Sequence, residues 1–100
     1  MHNDTILSAL AQAFTHYPSV ERAALFGSRA RGDNHERSDY DIAVFGPLTS
    51  SEKRALHLFC TEELPTLHKI DLIFMDEQAG TPIADSIQRE GLIFYDKDGK

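Results

Sequence analysis

Gly27-Ser28-Arg29-Ala30-Arg31-Gly32-Asp33-Asn34-His35-Glu36-Arg37-Ser38-Asp39-Tyr40-Asp41 is the stretch that decides how this chain is read. Ahead of it, Glu21-Arg22-Ala23-Ala24-Leu25-Phe26 grows steadily more apolar and stops at Gly27, as a strand does when it enters a tight turn. Behind it, Tyr40-Asp41-Ile42-Ala43-Val44-Phe45 is rich in β-formers and ends at Gly46-Pro47, which predicts a second strand. Asp39 and Asp41 stand two apart at the start of that strand. Both therefore project to one face, with Cα atoms about 6.5 Å apart. Two carboxylates that close repel, and each raises the pKa of the other. The pair is tolerable in water or around a cation. Mg²⁺ suits it, because that ion takes one or two carboxylates together with phosphate oxygens.

Gly27-Ser28 supplies the complementary half. A glycine at a strand end lets the backbone approach a ligand closely. If residues 28–31 open a helical turn, their N–H groups and the local dipole attract phosphate. Ser28 adds a hydroxyl, and Arg29 and Arg31 add positive charge, although a solvated helix face reads those two arginines as well as phosphate contact does. A third carboxylate, Asp71, lies inside the apolar run Ile70-Asp71-Leu72-Ile73-Phe74. A charge there is costly unless it faces water or a metal. If the strands of Asp41 and Asp71 are neighbours, three carboxylates meet on one face, the arrangement of a two-metal phosphoryl-transfer site.

The rest of the chain supplies a frame for this site. Ile6, Leu7, Leu10, Ala11 and Phe14 form a helical stripe behind Asn3 or Asp4 as N-cap, closed by Tyr17-Pro18. Thr49 and Glu52 have the spacing of a capping box, followed by a helical face of Ala55, Leu56, Leu58, Phe59 and Leu64 that Pro65 ends. Residues 69–75 predict a strand. Thr81-Pro82 opens a short helix bracketed by Ile83, Ile87 and Gly91, and Leu92-Ile93-Phe94-Tyr95 predicts a last strand. The order α-β-α-β-α-β-α-β predicts an α/β (α+β) class, a small mixed β-sheet with helices packed on one face.

Length and charge narrow the function. One hundred residues make a single domain, 1–100, with room for one core and one site. Ten Lys+Arg against 16 Asp+Glu give a net charge of -6, which argues against direct nucleic-acid binding because that needs a basic face. It leaves room for a small basic pocket. The apolar runs are too short to span a membrane, and the N-terminus lacks the pattern of a signal peptide. With one cysteine, Cys60, no internal disulfide can form, and a cytoplasmic location is expected.

Gly27-Ser28, ten residues, then Asp39-Tyr40-Asp41 resembles the nucleotidyltransferase signature of the polymerase-β superfamily. The wording Gly-Ser-Arg-Ala-Arg-Gly…Ser-Asp-Tyr-Asp-Ile-Ala-Val resembles the minimal nucleotidyltransferases, MNT, over nearly the whole chain. The resemblance implies a polymerase-β-like fold and the antitoxin half of a toxin–antitoxin pair. Its partner would be a helical HEPN-type RNase toxin, bound as a hetero-oligomer. The implied reaction moves AMP from ATP to a tyrosine hydroxyl of that partner and silences it. By position, Gly27 and Ser28 would hold the triphosphate. Asp39 and Asp41 would bind two Mg²⁺ ions, and Asp71 would complete one metal site and help deprotonate the acceptor.

Other readings compete. A small-molecule nucleotidyltransferase of the antibiotic-modifying kind would need more structure to enclose its acceptor. An antitoxin that acts by binding alone would not need the full carboxylate set. Arg31-Gly32-Asp33 spells an adhesion tripeptide by coincidence, and Asp33 reads as a turn cap. Cys60 reads as core rather than nucleophile. His57 and His68 lack partners at ligand spacing and read as surface or packing residues, and Tyr40 and Tyr95 as sheet or core.

Overall fold

The computed structural model describes residues 5–32, 39–64, 66 and 68–98. Helix α1 (Thr5–Phe14) leads into strand β1 (Arg22–Phe26), a single-turn helix α2 (Ser28–Arg31) and strand β2 (Tyr40–Phe45). Helix α3 (Ser50–Leu58) runs into a π-helical turn (Phe59–Glu63) and strand β3 (Ile70–Phe74). A 3₁₀ turn (Met75–Glu77), helix α4 (Pro82–Glu90) and strand β4 (Leu92–Asp96) complete the order. The elements follow the expected sequence.

The four strands form one mixed sheet in the order β3-β2-β1-β4. β1 is antiparallel to both β2 and β4, and β2 is parallel to β3. A parallel pair needs a long crossover, and α3 with its π-helical turn provides it.

Alternation along the strands sorts the side chains. Tyr40, Ile42 and Val44 of β2 join Ala23 and Leu25 of β1 in the main core, against Leu7, Leu10 and Phe14 of α1 and Leu56 of α3. Leu10, Phe14, Ile42, Val44 and Leu56 are fully buried there. α1 and α3 make a helical layer on this face, but a helix covers the other face as well, so helices pack on both faces of the sheet rather than on the one expected. The opposite face carries the paired alanines Ala24 and Ala43, and Ile87 of α4 packs on them with Phe26, Phe45, Met75 and Ile83. Only small residues at that pair let α4 approach the sheet.

Of the helix starts read from the sequence, the two at Thr49 and Thr81 fall on described residues and are present. Thr49 Oγ1 accepts from the Glu52 N–H at 3.1 Å, and Glu52 Oε1 accepts from the Thr49 N–H at 2.8 Å. Thr81 Oγ1 accepts from the Ala84 N–H, with Pro82 opening α4. The helix expected to run through to Leu64 differs in its last turn. Its α-helical part ends at Leu58, and the Leu64 N–H reaches back five residues to the Phe59 carbonyl at 3.0 Å. Thr61 donates its hydroxyl to the His57 carbonyl at 2.9 Å, a side-chain bond that bends a helix. The wider turn returns Leu64 to the core. The Asn3/Asp4 cap, Asp33 and the Pro65 stop lie outside the described residues.

Candidate active site

β2 and β3 run parallel in a register that places Asp41 opposite Asp71 and Tyr40 opposite Ile70. The Tyr40 N–H donates to the Lys69 carbonyl at 2.9 Å and fixes that register at its start. On its other side Asp41 pairs with Phe26, the last residue of β1. The chain then turns at Gly27, so the turn folds back directly over the Asp41 side chain.

Gly27 has φ 76° and ψ -155°, a conformation that only glycine adopts without strain. A Cβ there would overlap Asp41 Oδ2 and stand 3.1 Å from its Cγ. The turn and the carboxylate therefore fit each other only because residue 27 lacks a side chain. From this turn α2 starts at once, with the Gly27 carbonyl accepting from the Ala30 and Arg31 N–H groups at 3.1 Å each. Gly32, left-handed at φ 86°, ends it by donating to the Ser28 carbonyl.

The electrostatics match this geometry. Partial burial raises the Asp41 pKa above the usual carboxylate value, and the charges of Asp71 and Asp39 push it further the same way. Arg31 and Lys69 oppose the rise. Asp71 Oδ1 lies 3.6 Å from Lys69 Nζ, and Asp39 is exposed at the strand entrance. Thus Asp39, Asp41 and Asp71 share one field at one end of the sheet, beside the Gly27 turn. Among the described residues no three His, Cys, Asp or Glu side chains gather closely enough to hold a metal ion by themselves. Such a donor set fits Mg²⁺, which fills its remaining positions with water and substrate phosphate. The Asp41 carboxylate fills the place that a Gly27 Cβ would take, so the glycine brings the turn's backbone up against the carboxylates.

Over residues 8–100 the chain matches the family described as Polymerase beta, Nucleotidyltransferase. It belongs to that family. Among solved structures, it is similar to a chain from a toxin–antitoxin complex crystallised with AMP-PNP, with TM-score 0.68 and 24% identity. The match covers 95% of this chain and 74% of that one. A chain from an MntA-HpeT toxin–antitoxin mutant matches with TM-score 0.68 and 22% identity, covering 95% and 74%. A nucleotidyltransferase fold from Sulfolobus solfataricus matches with TM-score 0.52 and 21% identity, covering 94% and 77%. No curated protein matches the chain. The polymerase-β-type fold expected from the signature is therefore the observed one. No described helix is long and apolar enough to cross a membrane.

The remaining candidates fall into place within this nucleotidyltransferase frame. The Arg29 guanidinium lies over the Tyr40 ring, 4.0 Å from its centroid, and Nη2 is 3.5 Å from His68 Nδ1. His68 meets the same ring edge-on at 5.4 Å. Arg31 is exposed and its charge acts on Asp41. His57 packs edge-on against Phe74, and Tyr95 packs against Phe14. Cys60 packs against the main core, where burial pushes its thiol up to about 11. The contact of Arg29 with Tyr40 escaped the sequence reading. Its one trace there was strand alternation, which turns Tyr40 away from the face of Asp41.

Proposed function

We propose that this chain is a nucleotidyltransferase antitoxin that transfers AMP from ATP to a hydroxyl, of tyrosine, on a HEPN-type toxin partner. The observation that carries the proposal is the fit of the Gly27 turn over Asp41, with Asp71 in register beside it. A turn that admits no side chain, set against grouped carboxylates, suits a triphosphate bridged to the protein by divalent ions. Family membership supports transfer of a nucleotide, and similarity to chains crystallised as toxin–antitoxin complexes supports the protein partner.

In this reading Gly27 and Ser28 receive the triphosphate, with Arg31 as nearby positive charge. Asp39, Asp41 and Asp71 hold two Mg²⁺ ions. When bound, those ions supply charge stabilisation to the attacking and leaving oxygens. The acceptor oxygen forms a bond to the α-phosphorus, the bond from that phosphorus to the bridging oxygen breaks, and pyrophosphate leaves. The acceptor proton passes towards Asp71, which stands in register beside Asp41. Positioning of the acceptor supplies much of catalysis, and in this reading the partner's own docking surface provides it.

The test uses ATP labelled on the α-phosphate, Mg²⁺ and the toxin partner. Label that moves to the partner, while label on the γ-phosphate does not, supports AMP transfer. Transfer to small amino-sugar acceptors in the partner's absence would favour the small-molecule reading instead.

A further inference from the structure

α2 grips β2 from both faces of the sheet. Gly27 lies against Asp41, and two residues later Arg29 lies over Tyr40. Adjacent strand residues point to opposite faces, so these two contacts bracket the strand that carries Asp39 and Asp41. Tyr40 is 4% exposed and belongs to the main core, so it is a fixed surface. His68, from the approach to β3, meets the same ring edge-on and comes within 3.5 Å of the guanidinium.

A helix of one turn has little stability of its own. α2 is four residues long and is placed by its tertiary contacts: the Gly27 turn, Ala30 against the main core, and Arg29 on Tyr40. A cation over an aromatic face contributes most when it is partly removed from water, and Arg29 is half-buried. The planar guanidinium also stacks, which an ammonium group does not do.

We propose that Arg29 is a positioning residue. By stacking on Tyr40 beside His68 it pins α2, and so holds the Gly27-Ser28 turn at a fixed distance from the carboxylates. Its guanidinium acts on the face opposite Asp41 and reaches the nucleotide only through the turn. The role in nucleotide binding rests on the proposed function above. The pinning itself is a property of the free protein and can be tested without nucleotide.

Arg29→Met keeps the stem and removes the cation at a half-buried position, so the fold survives. In the free protein it should speed hydrogen exchange at the bonded amides of Ala30, Arg31 and Gly32 about ten-fold, with the amides of β1 and β2 unchanged. Unchanged exchange at those three amides overturns the proposal, whether or not the protein binds ATP. A double-mutant cycle with Tyr40→Leu, read by calorimetric affinity for Mg²⁺-ATP, tests the consequence. Each single variant should weaken binding about ten-fold and the double variant no further. Additive losses, or full affinity in Arg29→Lys with Tyr40→Leu without effect, would show a direct phosphate contact and overturn the proposal. A wild-type protein that does not bind Mg²⁺-ATP contradicts the proposed function and leaves the exchange result to decide the pin.

Discussion

Asp41 and Asp71 are register partners on two parallel strands, so their side chains leave the sheet on the same face. Phe26 completes the row on the other side of Asp41 and hands the chain to Gly27. Three strands thus deliver two carboxylates and one side-chain-free turn to a single corner. Asp39 joins them from the entrance of β2.

The first prediction separates backbone strain from site geometry. Gly27 and Gly32 both have positive φ, but a Cβ at Gly32 meets nothing within 4 Å, whereas one at Gly27 meets the Asp41 carboxylate. Ala at Gly32 should cost about 1–2 kcal/mol in stability from the left-handed backbone, and Ala at Gly27 about 1–3 kcal/mol from its backbone plus the overlap with Asp41. Only Gly27→Ala should also abolish Mg²⁺-ATP binding. Thermal unfolding and calorimetry on the two variants check this.

The second concerns Asp41 and pH. Its folded pKa is raised above the ordinary 3.8. The native state therefore holds this proton more tightly than the unfolded chain, and stability falls as pH rises from 3.8 through the raised value. Above that window the ionised carboxylate is a standing cost. Asp41→Asn should raise the apo melting temperature at pH 7 and flatten its acid-side pH dependence, while Mg²⁺-ATP binding is lost. An apo protein destabilised by this change would contradict the shared-field picture.

The third concerns Cys60. With its pKa pushed to about 11 by burial, about one thiol in a thousand is ionised at pH 8. Reaction with a disulfide reagent should be slow in the folded protein and fast in denaturant. Cys60→Ala should leave AMP transfer intact.

The fourth concerns α3. Thr49→Ala removes half of the capping box and should cost about 1 kcal/mol, or about 4–8 °C in melting temperature. Transfer at low temperature should be unchanged, because the cap lies on the crossover and not at the site.

Much of this was legible in the sequence, for physical reasons that differ by element. Thr49 with Glu52 and Thr81 with Pro82 are local signals, and local hydrogen bonds honour them. Tyr40–Phe45 was legible because the β-rich run is bounded by Gly46-Pro47. The pairing of Asp41 with Asp71 was conditional on which strands are neighbours, a non-local fact that no local pattern states. The π-helical turn depends on Thr61 reaching back to His57, and helical periodicity does not reveal such a bond. Arg29 was ambiguous because its partner ring stands eleven positions away, on a strand whose face becomes known only once the sheet is assembled.

The central claim is tested most directly by the intact mass of the toxin partner after incubation with ATP and Mg²⁺. Wild-type protein should add whole AMP units to the partner and silence its RNase activity. The variant Asp39→Asn, Asp41→Asn, Asp71→Asn should add no mass and leave the partner active. A partner silenced equally by that variant, with its mass unchanged, would contradict the account and make binding alone the mechanism.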